Sequence, residues 1–598
     1  MFKYKRGINN IEQAKQVEYV LSNNKNSCLS MSATLDTRKP YNGMYIKDGK
    51  IIVENLMEEI ELKNKLYRVG QVMTSVQTIS CDEYITNIDL EKNTFNYDFG
   101  DIKFSKSFCF SKDSDLLCIR YDIFNNTTNN AKFRILPLIT YRELFKMKDS
   151  QSLRFNQRKV NSGVLINLSI VNEENVVIKS DKSKYTKESR IITNVKHEYI
   201  TKQLEKEITT EDLFVPGNFE IDVKKESNQI FNLYICQKDF NIENVDVNKI
   251  FTEYENSKNS IKSGIRDEYV ELKDLAVQIS NFNMNDKLID TLPYEKHYEL
   301  NFDYEFKNGV TKEDIITLTN IVKSIEGQYL TFDKVKDANN VLIKIRRYIR
   351  QIEDIKNESI NKDFVLLKLW YIESANRLIQ KESKFANLYL EFIHEILYDL
   401  FIKEEKDRYL TDIQTCALSY NAIKIYENLL EDNDDVIYEI GEYINSVILT
   451  KFWDEEKRTM KENITDVVAK PNIHMIYTLS LSYPCIVGDI QIKLLDTIFK
   501  ELYTPYGLRS TPRSSNELCY IYPKYMAHFV KANLRQNGVT RASQKIAFNL
   551  VKELFQDINK YINGAIKYIY SEKGVLVDSR GYDLYTNAEI IRLYDMLT

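Results

Sequence analysis

Up to about residue 260 the hydrophobic and polar positions alternate in short runs. KIIVENLMEEIEL (50–62), FSKSFCFS (104–111), LLCIRYDIF (116–124), KFRILPLITY (132–141), GVLINLSIV (163–171), NVVIKS (175–180) and NQIFNLYIC (228–236) share a period of two. That spacing buries one face of a strand. Clusters such as FNNTTNN (124–130) bound the runs and supply turn residues. The pattern predicts a large antiparallel β-sandwich over residues 1–256. Beyond it the period becomes helical. EDIITLTNIVKSI (313–325), NVLIKIRRYIRQIEDI (340–355), FVLLKLWYIESANRLI (364–379), FANLYLEFIHEILYDLFI (385–402), IQTCALSYNAIKIYENLL (413–430) and ASQKIAFNLVKELFQDI (542–558) place apolar residues at i, i+3, i+4 and i+7. Short polar links between them predict an array of about ten to twelve helices in hairpins. The charged, partly helical stretch 257–285 is expected as a linker, and 286–598 as a helical toroid.

Composition narrows the class of protein. Of 598 residues, 43% are hydrophobic and 28% charged, so the chain can bury large cores and is not a disordered one. Only 17 Gly and 9 Pro are present, and there is no P-loop, GxGxxG or GxSxG. A net charge of −5 gives no general attraction to nucleic acid or to an anionic membrane. No run of apolar residues is long enough to span a membrane. The opening MFKYKRGINNIEQAKQVEYVL lacks an apolar stretch after its basic residues, so no export signal is expected. The 8 Cys are dispersed without a CxxC pair and read as reduced thiols of a cytoplasmic protein. His394-Glu395 lacks a second His one turn on, so neither a metal site nor a cofactor is expected.

Motifs carry the next step. Residues 18–46, EYVLSNNKNSCLSMSATLDTRKPYNGMYI, contain Thr37-Arg38 and Tyr41-Asn42-Gly43-Met44. LPLITYRELF (136–145), Asp212-Leu213-Phe214 and Pro216-Gly217-Asn218-Phe219 follow, then Leu369-Trp370-Tyr371-Ile372 and Tyr420-Asn421-Ala422. Phe452-Trp453, Asp466-Val467-Val468, Lys470-Pro471-Asn472, the run LYTPYGLR (502–509) and Ala588-Glu589-Ile590-Ile591-Arg592 complete the series. In this order they resemble the bacterial and archaeal type of glycogen debranching enzyme, the amylo-α-1,6-glucosidase family. The resemblance spans nearly the whole chain. It implies an N-terminal antiparallel β-sandwich followed by an (α/α)6-type toroid of the six-hairpin glycosidase kind.

It also implies where chemistry would sit. Glycoside hydrolysis uses two carboxyl groups, one protonating the leaving oxygen and one activating water or attacking the sugar. The family's acid lies in a P-W-F-x-x-W-G-R-D-T motif. Its counterpart runs from Pro293 to Phe302, which puts Asn301 at the acid. An amide carries no acidic proton at neutral pH. The family's base, a Glu, corresponds to Asp578, one methylene shorter. Glu299 and Asp303 flank Asn301 and offer a displaced acid; the alternative is a solvated acidic loop. Tyr298, Trp370, Gln414 and Arg509 fall at sugar-contact positions, although Trp370, among Leu366, Leu367 and Leu369, reads as core ahead of a stacking platform, and Arg509 reads equally as structural. Two functions follow from the resemblance. One is a protein of α-glucan metabolism with lost or much reduced hydrolase activity that binds glucan or regulates an active partner. The other is an active hydrolase releasing glucose from α-1,6 branch points, with Asp578 as base.

Overall fold

The computed structural model describes residues 1–598 except 24–26, 71, 154, 170–173, 202–203, 266–269, 281, 283–286, 293–297, 300–308, 354–360, 404–406, 431–433 and 573–581. The chain forms two compact units. The first comprises Met1–Tyr298 with Asp557–Ile566, and the second is built on Glu299–Gln556 and Asp583–Thr598.

The first unit is a sandwich of two antiparallel sheets. One has nine strands in the order Lys3–Lys5, Ile85–Asp89, Thr94–Asp98, Ile102–Phe110, Leu117–Asn125, Ser227–Cys236, Glu174–Ser180, Gly163–Ser169, Asn156–Val160. The other runs Lys184–Ile200, Lys206–Val223, Ala131–Glu143, Lys50–Leu62, Gly43–Lys47, Ser27–Ser32, Glu18–Ser22, with Lys65–Val69 also paired to Lys50–Leu62. Alternation in the sequence becomes inward and outward side chains. Leu117, Ile119, Tyr121 and Ile123 point into the core, and the register sets Ile119 against Leu233 and Tyr121 against Phe231. The Tyr121 and Phe231 rings stack at 5.1 Å, and Phe133 of the other sheet meets both. Cross-strand aromatic pairs of this kind pin the register that buries one face. Among the described residues the helices α1 (Ile11–Gln16), α2 (Val247–Ser263) and α3 (Val270–Ser280) accompany the sheets. The stretch 257–285, expected as a linker, contains the end of α2 and all of α3.

The second unit is helical. Its helices are α4 (Lys312–Gln328), α5 (Val335–Glu353), α6 (Asn361–Lys381), α7 (Ala386–Tyr398), α8 (Ile413–Leu429), α9 (Asp435–Val447), α10 (Tyr477–Ser480), α11 (Gly488–Glu501), α12 (Met526–Asn537), α13 (Arg541–Gln556) and α14 (Leu584–Leu597). The even-numbered helices form a closed ring, α4–α6–α8–α10–α12–α14 and back to α4. α5, α7, α11 and α13 pack against these from the outside, and α9 packs on α8. Burial explains the division. α14 is buried without interruption from Leu584 to Tyr594, and α8 is nearly so. Helices enclosed on all sides are inner helices. The outer ones keep a single apolar stripe: α5 buries Ala338, Val341, Leu342, Ile345, Tyr348, Ile349 and Ile352 and leaves the rest half-buried or exposed. At the closure of the ring the α4 backbone lies against α14. A Cβ added at Gly327 would overlap the carbonyl oxygen of Ala588.

Candidate functional site

The inside faces of the inner helices carry charge. α4 contributes Lys323 and Glu326, and α6 contributes Trp370, Glu373 and Arg377. α8 adds Asn421, α12 adds His528, Lys531 and Arg535, and α14 adds Tyr585, Glu589 and Arg592. The spacings i, i+3, i+4 and i+7 align each set on one face of its helix.

Ion pairs and hydrogen bonds join these side chains. Glu373, 0% exposed, accepts from Arg377 Nε at 3.0 Å, from Ser482 Oγ at 3.0 Å and from Asn421 Nδ2 at 2.9 Å. The Asn421 carbonyl oxygen accepts from the Tyr483 N–H at 2.8 Å. Arg377 Nη1 lies 2.6 Å from Glu326 Oε2, and Arg592 Nε lies 3.6 Å from the same oxygen. Arg592 also forks onto Glu589, donating from Nε to Oε1 at 3.0 Å and from Nη2 to Oε2. Two arginines therefore hold three carboxylates. Arg535 donates to the carbonyls of Leu479 and Ser482, both at 3.0 Å.

The electrostatic consequences are specific. Burial alone would raise the Glu326 carboxyl, but Arg377 and Arg592 hold it below its ordinary range. His528 is 1% exposed, and its Nδ1 sits 2.8 Å from Ser480 Oγ. Burial, then Arg592, Arg377, Lys531 and Lys323, push it well below its ordinary value, so the ring stays neutral. Lys323 is driven down to about 7 by burial and next by Lys524, and Lys531 to about 7 by burial and next by Arg377. Lys323 Nζ lies over the rings of Trp370 at 4.6 Å and Tyr585 at 5.1 Å. Lys323, Glu326, Lys524 and Lys531 all keep partial exposure, although burial is the largest influence on each. Together these place them on the wall of a deep recess.

The expected site residues distribute as follows. Trp370 is buried in this interior, packed edge-on against Tyr477 at 5.3 Å and His528 at 6.1 Å. Gln414 is half-buried on the first turn of α8, beside the capping residue Asp412. Arg509 is buried in the strand Gly507–Arg509, where Nη1 pairs with Glu572 and Nε donates to the Thr511 carbonyl at 3.2 Å. Tyr298 and Glu299 form a two-residue strand whose side chains are not described. Asn301, Asp303 and Asp578 lie outside the described residues. Of the interior network, the sequence motifs touched only Trp370, Asn421, Glu589 and Arg592. The charged positions within otherwise apolar helical stretches, Glu373 and Arg377 above all, were the available signal for the rest.

The sandwich holds two further polar groupings. Glu54, Arg142, His197 and Glu211, all fully buried, come from four adjacent strands. Arg142 donates to Glu211 from Nε at 2.9 Å, to Glu54 from Nη2 at 3.2 Å and to the Pro40 carbonyl from Nη1 at 2.6 Å. Glu54, His197 and Glu211 bring ligand atoms within 4.8 Å of one another, but Arg142 already supplies the counter-charge. Glu54 is raised to about 7 by burial and next by Glu211. Nearby, Glu18, Ser32, Asp36, Arg38, Lys39 and Asn42 line part of a cavity of about 280 Å³. Arg38 and Asn42 of the Thr37-Arg38 and Tyr41-Asn42-Gly43 motif thus border a concavity that Tyr199 and Ile200 also line.

Two family models match the chain, "Glycogen debranching enzyme N terminal" over residues 45–230 and "Amylo-alpha-1,6-glucosidase" over residues 407–533. They fall on the sandwich and the helical ring respectively and together cover more than half the chain. The chain belongs to the glycogen debranching enzyme family. Among solved structures, a bacterial glucoamylase complexed with acarbose matches 99% of this chain and 96% of its own, with 10% identity and a TM-score of 0.56. That match identifies the sandwich followed by an (α/α)6 toroid. A human-microbiome protein assigned as a kojibiose phosphorylase matches 97% of this chain and 87% of its own, at 9% identity and a TM-score of 0.42. A search of curated protein sequences gives no match. Among the described residues no helix is long and apolar enough to cross a membrane.

Proposed function

We propose that this member of the glycogen debranching enzyme family recognises α-glucan or an oligosaccharide derived from it, with glucosidase activity lost or much reduced. The observation that carries the reading is the state of the carboxylates inside the helical ring. Glu326, Glu373 and Glu589 are each bound by Arg377 or Arg592. A general acid needs a carboxyl that keeps its proton near neutrality, which demands burial without a cationic partner. At Glu326 the two arginines oppose protonation, and Glu373 and Glu589 each have a guanidinium as a direct partner. The sequence adds a second support: the acid position is Asn301 and the base position is the shorter Asp578. Recognition is supported by the cavity beside Arg38 and Asn42, whose volume of about 280 Å³ suits one sugar ring with a few fixed hydrogen-bonding groups. A cytoplasmic location remains part of the proposal.

The test pairs two measurements on the purified full chain: glucose release from a branched limit dextrin, and sedimentation with glycogen. The expected result is co-sedimentation with glucose release near background. Turnover in the ordinary enzymatic range, about 1–10³ per second, overturns the reading. If Asp578→Ala then abolished that turnover and Asn301→Ala did not, an active hydrolase with its acid at Glu299 or Asp303 would replace it.

A further inference from the structure

We propose that the recess inside the helical ring binds a phosphate-type oxyanion, held by Lys323, Lys531, Arg377 and Arg592. The inference goes beyond glucan recognition and holds whether or not glucosidase activity persists.

Charge balance carries it. The carboxylates described on the inner faces of α4, α6 and α14 are committed: Glu373 to Arg377, Asn421 and Ser482, Glu326 to Arg377 with Arg592 beside it, and Glu589 to Arg592. Among the described residues neither Lys323 nor Lys531 has a carboxylate within ion-pair distance. Lys323 Nζ lies over the faces of Trp370 and Tyr585. Both arginines also keep a spare donor, for Arg377 Nη2 and Arg592 Nη1 are buried and bonded to nothing in the described protein. Trp370 Nε1 is a third such donor. A buried donor without an acceptor costs about 1–3 kcal/mol, and more when it is charged. Side chains of four inner helices share this excess, and their cations sense one another. Lys531 is acted on by Arg377 and Arg592, opposed by Glu373 and Glu326, and His528 by Arg592, Arg377, Lys531 and Lys323.

The excess selects a ligand. A neutral sugar hydroxyl would accept hydrogen bonds and leave the lysines with only the more distant carboxylates Glu589, Glu373 and Glu326 acting on them. A multiply charged oxyanion supplies both acceptors and charge, and guanidinium edges match phosphate oxygens in geometry. The partial exposure of Lys323 and Lys531 leaves their ammonium groups reachable from the recess. The anion is a phosphate group, either inorganic phosphate or the phosphate of a sugar phosphate.

The experiment is titration calorimetry on the full-length protein at constant ionic strength, with inorganic phosphate in one arm and glucose 1-phosphate in the other. Lys531→Met and Lys323→Met are compared with wild type and with Lys500→Met, a surface control whose partner is Asp496. Saturable binding is expected in at least one arm, weakened about tenfold or more by each recess variant and unchanged in the control. Equal affinity in both arms assigns inorganic phosphate, and tighter glucose 1-phosphate assigns a sugar phosphate. Phosphate should also raise the melting temperature of wild type and not of Lys531→Met, because a ligand stabilises only the state it binds. If Lys531→Met does not fold, Lys323→Met decides. No saturable binding of either probe at millimolar concentration overturns the proposal, as does binding that the folded recess variants leave intact.

Discussion

Glu373 is the residue on which the interior network turns. Its carboxylate joins α6 to α8 through Asn421 and to the segment after α10 through Ser482. Removing one member of a buried charge pair leaves the other uncompensated and costs about 3–5 kcal/mol. Glu373→Ala should therefore lose stability on that scale in chemical denaturation, and Glu373→Gln less, since the amide oxygen still accepts. Lys531 has the opposite sign. Its folded pKa of about 7 lies below the ordinary lysine value of 10.5. Between those two values the unfolded chain binds more protons than the folded one, so stability rises with pH across that window. Below about pH 7 the full penalty of the buried charge is present. Lys531→Met, which has no proton to lose, should be more stable than wild type at pH 7, with the gap closing as pH approaches 10. A gap that stayed constant over that range in paired unfolding curves would contradict this account of Lys531. Glu54 in the sandwich runs the other way again. Its folded pKa of about 7 lies above the ordinary 4.5. The folded state then holds the extra proton between those values, and this contribution falls as pH rises from 4.5 to 7. Glu54→Gln should remove it, which paired unfolding curves at pH 5 and pH 7 would register.

At the scale of elements, the ring depends on contacts too close for any side chain. Gly327 of α4 meets the backbone of Ala588 in α14, where no flexible atom can give way. Gly327→Ala should force the helices apart at the closure and destabilise the protein by at least the 1–3 kcal/mol typical of overpacking. Gly441, whose added Cβ would meet only side chains, should tolerate Ala better. The same elements show what periodicity conveys. The run 50–62 is the strand Lys50–Leu62, 228–236 lies in Ser227–Cys236, and 413–430 is α8. These segments bury a face wide enough for apolar residues to mark it. Periodicity said little about Lys184–Ile200 and Lys206–Val223, whose long pairing carries many exposed polar residues. It also said little about the interior site. A helix enclosed on all sides has no solvent face to contrast with its core face, so the charges of Glu373, Arg377, Glu589 and Arg592 stand out in the sequence without showing that they point inward. The pairs Glu373–Arg377 and Glu589–Arg592 are local to one helix each, but the partners Asn421 and Ser482 of Glu373, 48 and 109 residues away, meet it only once the ring has closed.

At the scale of the whole molecule, family membership and retained chemistry are separate properties. The motifs that persist include turns and packing contacts. LYTPYGLR contains the strand pair Tyr503–Thr504 and Gly507–Arg509, and Arg509 is tied to Glu572. On the proposed reading, the acid and base positions of the resembled motifs are held by Asn301 and Asp578. General acid catalysis contributes about 10²–10⁴-fold, and an amide cannot supply it. A retreat of about 1 Å at the base costs on the order of 10²-fold more. Catalysis depends on positioning as much as on the acid, and position 414 is Gln and 416 Cys where the resembled motif has Glu and Asn. The double substitution Asn301→Asp with Asp578→Glu should therefore leave glucose release from limit dextrin far below about 1 per second, with glycogen binding unchanged. Recovery of ordinary turnover by those two substitutions alone would mean that the remaining sugar contacts are intact and that the loss of function is confined to two side chains.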